Sequence, residues 1–456
     1  MDSVAAVVIL LCASIPLFFS AAAGFHFPKA ALPTKSGYLP VNTSSGSAIF
    51  FAFYEAQQPS SPLTQTPLVV WLQGGPGCSS MTGNFFEIGP WLVKSDPHGP
   101  NNLTLVPNPA SWNRLFGLIF VDNPIGAGFS YAASPEEIPR DQSTVAKHLL
   151  IAFTSFLSAN PTFSSRPIYI TGESYAGKYV PAFGYYLLKQ NSGLPPSRRI
   201  NLQGIAIGNG LTHPVTQVTV HAVTAYFSGL INGKQQAQLE QLQNEAARLA
   251  REEKWREAWV ARNRVLDTLR EMTGLPTLLD FRRKKNYETQ LVTDLLQSED
   301  VKKALGAKTD IVFVECSGVV GDALSEDVMM SVKYMVEELV KKSKVLLYQG
   351  QFDLQDGVAS SEAWIEQMEW EELEKFLLAE RKVWEVNGVL SGYVQRWGSF
   401  THAAVLGAGH LVPADQRLSS QAMIEDWILE RGLFSNEKDL FSGNTSEAIS
   451  DFLRSH

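Results

Sequence analysis

Short apolar runs rich in β-branched and aromatic side chains punctuate the first half of the chain. They are AIFFAFYE (48–55), PLVVWL (67–72), FGLIFV (116–121), PIYIT (167–171) and GIAIG (204–208). Runs of this length and composition predict strands. Between several of them lie stretches of helical periodicity, QSTVAKHLLIAFTSFLSA (142–159) and the segment after Ser174. The later runs are apolar on both faces and alternate with helices, which predicts a mostly parallel sheet covered on both sides. The earlier ones, joined by turn-rich segments, are compatible with antiparallel pairing.

From about 234 to 305 the texture changes. KQQAQLEQLQNEAARLAREEKWREAWVARNRVLDTLREM contains neither Gly nor Pro, and Leu239, Leu242, Ala246 and Leu249 recur near helical spacing. This predicts amphipathic helix whose charges form a solvated face. Sheet texture resumes at KVLLYQG (344–350), KVWEVNG (382–388), GYVQRW (392–397) and THAAVLGAG (401–409). A helical block, about 215–315, inserted into an α/β sheet near its ligand-bearing edge is expected to act as a lid or cap. It offers a surface for a homodimer, but no sustained heptad seam, so the oligomeric state stays open.

Composition narrows the class. The chain has 456 residues, 45% of them hydrophobic and 18% charged, with a formal net charge of −8. That suits a globular protein and argues against nucleic acid as a partner, since phosphate binding needs clustered Lys and Arg. The opening MDSVAAVVILLCASIPLFFSAAAGF predicts a secretory signal peptide over 1–23, with Ala21 and Ala23 as the small-residue pair, although Asp2 replaces the usual basic start. A membrane anchor is the alternative reading of this run. No later stretch is apolar enough to span a bilayer, so no stable membrane association is expected. Sequons at Asn42, Asn102 and Asn444 fit the same route. After loss of Cys12, Cys78 and Cys316 remain; an oxidising compartment invites one disulfide, and two buried free thiols are the alternative.

The segment YITGESYAGKY (169–179) joins a strand to a helix through a serine, the context of a nucleophile elbow. So sharp a bend needs small neighbours two positions away, and Gly172 and Ala176 supply them. Taken alone, Ser174 could equally be a helix N-cap. In this fold the acid and the histidine follow the serine in chain order. Of the histidines beyond residue 400, His410 lies in a glycine-rich loop after a strand, while His402 sits within the strand and His456 ends the chain. Asp353 follows KVLLYQG closely and is favoured over Asp356. VVWLQGGPGCSS (69–80) runs a strand into a glycine turn, so the Gly75 N–H, with that of Tyr175, can serve an oxyanion.

WLQGGPGCSS, NPASWN (108–113), VDNPIGAGFSY (121–131), GESYAGKYVP (172–181), IGNG (207–210), GQFD (350–353) and GAGHLVP (407–413) together resemble the serine carboxypeptidase family. They occur in that family's order over nearly the whole chain after the leader. WLQGGPG and GQFD are most similar to its vitellogenic carboxypeptidase-like branch, which includes plant carboxypeptidase-like members. The resemblance implies an α/β-hydrolase fold over 24–456. It implies removal of C-terminal residues from peptides and protein C-termini at acidic pH, in the secretory pathway, either outside the cell or in a vacuole or lysosome. Ser174 then matches the nucleophile, His410 the base and acid, Asp353 its orienter, and Gly75 and Tyr175 the oxyanion donors. Glu87 and Glu173 match an acidic pair that recognises the substrate carboxylate, with Gln73 where most relatives carry Asn. The family's disulfide pattern supports Cys78 with Cys316.

Glu173 beside the nucleophile is otherwise puzzling. Two close carboxylates cannot both ionise cheaply, so one keeps a proton and can donate it to the free carboxylate of a peptide end. Several positions depart from the family. Gln73 has a longer arm than Asn, Gln351 replaces an acid, and Arg417 stands where many relatives carry Pro, which is expected to affect only a helix start. The insertion lacks the internal cysteines of many relatives, and its Arg-rich stretch 248–284 offers sites for maturation by cleavage. An acyltransferase using sugar-ester donors shares the same triad and is the rival activity; a non-catalytic binding protein would not need a complete triad. No cofactor is implied. His213 and His221 lack ligand spacing, so no metal is expected, and GGPGCSS lacks the lysine of a P-loop.

Overall fold

The computed structural model describes residues 27–98 and 102–435; the expected leader, Asn444 and His456 lie outside them. Ten strands form the main sheet: β1 (Lys35–Pro40), β2 (Ala48–Tyr54), β3 (Leu68–Leu72), β6 (Gly117–Val121), β7 (Ile168–Glu173), β8 (Leu202–Gly208), β9 (Lys344–Gly350), β10 (Lys382–Val386), β11 (Val389–Trp397) and β12 (Phe400–Val405). Their spatial order is β1-β2-β6-β3-β7-β8-β9-β12-β11-β10. From β6 through β12 every neighbouring pair is parallel. The two strands at each edge run antiparallel to their neighbours. A separate hairpin pairs β4 (Trp91–Ser95) with β5 (Leu103–Pro107).

Side-chain alternation explains why these strands read as continuously apolar. In β2, Ile49, Phe51 and Phe53 enter the core on one face of the sheet, while Phe50, Ala52 and Tyr54 enter the core on the other. β3 divides in the same way, Val70 and Leu72 against Val69 and Trp71. The helices Gln142–Ala159 and Ala176–Ser192 cover the first face, and Arg417–Leu429 covers the second through Met423, Ile424 and Trp427. The helix over 142–159 has the limits its periodicity predicts. Among the described residues no helix is long and apolar enough to cross a membrane.

Between β8 and β9 the chain makes a long helical excursion. The uninterrupted amphipathic pattern does not form one helix. It forms two, Gly233–Arg251 and Trp255–Thr273, reversed at Glu253, whose φ is 57°. Small residues (Ala246, Ala247, Ala250 and Ala258) join Leu239, Val265 and Leu269 in the buried stripes of both helices. Burying both stripes together outweighs the small cost of a glutamate at positive φ. An Asn232–Gln235 capping box starts the first helix.

Candidate active site

Ser174 occupies the corner between β7 and the helix that begins at Ala176, and its φ of 62° is unusual for a non-glycine residue. Neighbouring backbone holds it there. Ser174 N–H donates to the Gly208 carbonyl at 3.0 Å, and its own carbonyl accepts from Gly177 at 2.8 Å and Leu211 at 3.0 Å. A Cβ at Gly172 would lie 2.8 Å from that of Ala176, which is why this corner demands glycine. Gly74 is similarly constrained: a Cβ there would sit 2.6 Å from the Tyr175 nitrogen. The glycine turn after β3 thus lies directly against the elbow.

β9 ends at Gly350 and delivers Asp353 to a buried position, where its Oδ2 meets His410 Nδ1 at 2.6 Å. Asn209 Nδ2 donates to the same oxygen at 2.7 Å, while the Gln355 N–H reaches Oδ1 at 2.8 Å. Burial pushes His410 down, but the Asp353 charge and hydrogen bond outweigh it, so its pKa ends above the ordinary histidine value. The His410 N–H also donates to the Leu279 carbonyl at 2.6 Å, fixing its loop. Asp356, the competing acid, instead faces Arg262 at 3.9 Å. Burial raises its pKa despite that arginine.

A third group adjoins Ser174 through its chain neighbour Glu173. Gln73 Nε2 donates to Glu173 Oε1 at 2.7 Å and to Glu87 Oε1 at 3.3 Å, and Trp71 Nε1 holds Gln73 Oε1 at 2.8 Å. The second carboxyl oxygens, Glu87 Oε2 and Glu173 Oε2, are buried and receive no donor from any other residue, and the two carboxyls lie close enough to share a proton. Burial is the main reason the Glu87 pKa rises to about 7, with Gln73 opposing it. Burial and the neighbouring Glu87 charge lift Glu173 well above the ordinary carboxyl range. At least one of these carboxyls therefore carries a proton in mildly acidic solution. The longer arm of Gln73 does not loosen the group; it spans both acids.

Ser174, His410, Gly75, Gln73 and Glu173 line one cavity of about 340 Å³, and the Cys78–Cys316 disulfide forms part of its wall. Glu87 is not at the cavity surface but packs behind Gln73. Tyr175 contributes backbone beside Gly74, while its side chain turns away toward Asp327. Asn42 and Asn102 are exposed. His213 and His221 are occupied separately, by Ser331 and by the Leu354 carbonyl, and no metal-ligating group occurs among the described residues. His402 pairs with Gln349 in the core, where burial lowers its pKa to about 3.

Two contributors escape sequence reasoning. Asn209 was visible only as part of IGNG, without a role, yet it binds the acid directly. Arg417 does more than start a helix: its guanidinium donates to the carbonyls of Phe86 and Glu87, each at 2.8 Å. The expectation of a purely local effect is wrong, because the helix start packs against the turn that carries Glu87.

A sheet of this order with a serine at a strand–helix corner, sharing a cavity with the histidine of a His–Asp pair, defines an α/β-hydrolase. The family model for serine carboxypeptidases (Peptidase S10) matches residues 24–430, and the chain belongs to that family. It is 55% identical over 412 residues to "Serine carboxypeptidase-like 50" of Arabidopsis thaliana, covering 90% of this chain and 91% of that one. It is 33% identical to "Probable serine carboxypeptidase CPVL" of Homo sapiens, over 89% of this chain and 85% of that one. Among solved structures, a prohormone-processing carboxypeptidase from Saccharomyces cerevisiae superimposes with a TM-score of 0.78 at 24% identity, covering 90% of this chain and 95% of that one. That likeness supports the fold.

Proposed function

We propose that this serine-type carboxypeptidase removes C-terminal amino acids from peptides in mildly acidic, secretory-pathway surroundings, through an acyl-enzyme on Ser174. The observation that carries this reading is the juxtaposition, in one cavity, of Ser174 and the His410–Asp353 pair with the Gln73–Glu173 group. His410 takes the Ser174 proton as Oγ attacks the last peptide carbonyl. The negative oxygen that develops is met by the N–H groups of Gly75 and Tyr175. His410 returns the proton to the departing nitrogen, releasing a free amino acid. Water then attacks the acyl-serine with His410 as base, and the shortened peptide leaves. Asp353, itself fixed by Asn209, keeps the imidazole oriented and stabilises its charged form.

The terminal carboxylate docks against Gln73 and Glu173 at the cavity wall, and the proton that the Glu173–Glu87 pair retains supplies the missing donor. As pH rises through about 7, the value to which Glu87 is raised, a negative charge develops in the pair and repels the substrate carboxylate. As pH falls, His410 becomes protonated and stops acting as a base, and its raised pKa brings this on early. Peptide hydrolysis is therefore bell-shaped. The helices over 215–315 act as a cap above the cavity, and Thr277, Leu279 and Tyr287 from its irregular part reach the lining.

The test is release of free amino acids from a blocked dipeptide by wild type and Ser174→Ala. The variant is expected to lose at least about 10⁴-fold in kcat. Unchanged trimming would remove Ser174 from the mechanism. Product analysis with an acyl-glucose separates hydrolysis from the acyltransferase that shares this triad.

A further inference from the structure

We propose that Arg417 is a positioning residue that sets how, and over what pH range, the Gln73–Glu87–Glu173 group holds a substrate's terminal carboxylate. The inference rests on the carboxylate-binding role given to that group above. Arg417 is the first residue of the helix Arg417–Leu429. A cation at a helix N-terminus opposes the helix dipole, so its local setting disfavours it. Its two nitrogens instead reach across to a different element. Nη1 donates to the Glu87 carbonyl and Nη2 to the Phe86 carbonyl, both at 2.8 Å, at the end of the π-helical turn Gly83–Ile88. A planar fork can hold two successive carbonyls in this way. Asn108 Nδ2 donates to the same Glu87 carbonyl at 3.1 Å, so the backbone of Glu87 is gripped from two sides. Arg417 does not line the cavity and does not touch the substrate.

The charge acts together with the clamp. The groups facing Glu87 are Glu173 from β7, Gln73 after β3, His410 from its loop, and Arg417. Asp415 and Tyr348 complete the surroundings of this carboxyl pair. Asp415 is itself tied to Tyr287 at 2.7 Å, to the Gly409 N–H at 2.8 Å and to Arg283 at 3.3 Å. Arg417 thus stands as a permanent cation behind Glu87. It favours the ionised carboxyl and opposes the effect of burial. Removing the charge should let the pair keep its proton to higher pH, while removing the clamp should loosen Glu87.

The experiment measures kcat and KM from pH 4 to 8 for Arg417→Met, Arg417→Lys and wild type. The substrates are a blocked dipeptide and its C-terminal amide. For Arg417→Met, the alkaline limb of kcat/KM on the free-carboxylate substrate should move up by at least about half a pH unit, carried by KM rather than kcat. The amide's profile should keep its position. Arg417→Lys keeps the charge and loses the fork, so its limb should stay while KM rises at every pH. If Arg417→Met does not fold, Arg417→Gln makes the same comparison. An unmoved limb, or an equal shift on both substrates, overturns the assignment. A wild-type enzyme with the same alkaline limb on both substrates would instead refute the carboxylate site itself.

Discussion

Two buried polar clusters adjoin the Ser174 corner, and they are built on opposite plans. On one side Lys178, in the first turn after Ser174, directs its ammonium at Asp327. The ammonium bonds the Asp327 carbonyl, the Met330 carbonyl at 2.7 Å and the Asp327 carboxylate at 2.7 Å. Tyr175 and Gln142 donate to the same carboxylate, the latter at 2.8 Å. Opposite charges cancel and the ammonium finds three acceptors, although Gln142 Oε1 is left without a partner. On the other side Glu87 and Glu173 share one amide, would carry like charges if both ionised, and leave two oxygens with no donor from the rest of the protein. A balanced cluster fixes architecture. An unbalanced one stores a requirement that only a proton or a ligand can meet.

The largest effect that would expose the contrast is on stability. Replacing Asp327 by Ala leaves Lys178 buried and unpaired, and should cost about 3–5 kcal/mol, read as a fall in denaturation midpoint. Glu173→Gln should do the reverse. A carboxyl whose pKa is raised on folding binds more protons in the folded state, so its contribution weakens stability as pH rises from the unfolded value toward the folded one. For Glu87 the window runs from the ordinary 4.5 to about 7, and for Glu173 it opens at the same value and extends upward. Glu173→Gln should therefore gain about 1–3 kcal/mol relative to wild type at pH 7 and little at pH 4.5, measured by urea unfolding at both. A uniform loss at both pH values would show that the pair is structural, like its counterpart. Smaller still is the effect of Asn209→Ala, which removes one donor to Asp353. We expect kcat to fall by roughly tenfold on both free and amidated peptides, because the orienting acid serves the triad rather than the carboxylate.

The same contrast marks how far the sequence could be read. Ser174, His410 and Asp353 were legible because a nucleophile elbow, a glycine loop and a strand end each leave a local trace, and the fold imposes their order. The core strands were legible because burial on both faces makes them continuously apolar. β1, KSGYLP, escaped because it pairs on one side only and is mostly half-exposed. The reversal at Glu253 escaped because no Gly or Pro announces it; packing of the two stripes decides it. Lys178–Asp327 joins residues 149 apart, and Arg417 reaches Phe86 across 331, so neither partnership has a local signature. Glu87 and Glu173 also lie far apart in the sequence. They were found only through the motifs that each occupies.

The central claim is that the unbalanced cluster reads a free carboxylate through a retained proton. Its most direct test is the ratio of kcat/KM for a blocked dipeptide to that for its C-terminal amide, followed from pH 4 to 8 in wild type and Glu173→Gln. The account predicts a wild-type ratio that is high in acid and collapses as pH passes about 7, where Glu87 loses its proton, and a flatter ratio in the variant. A wild-type ratio that does not change with pH would contradict it.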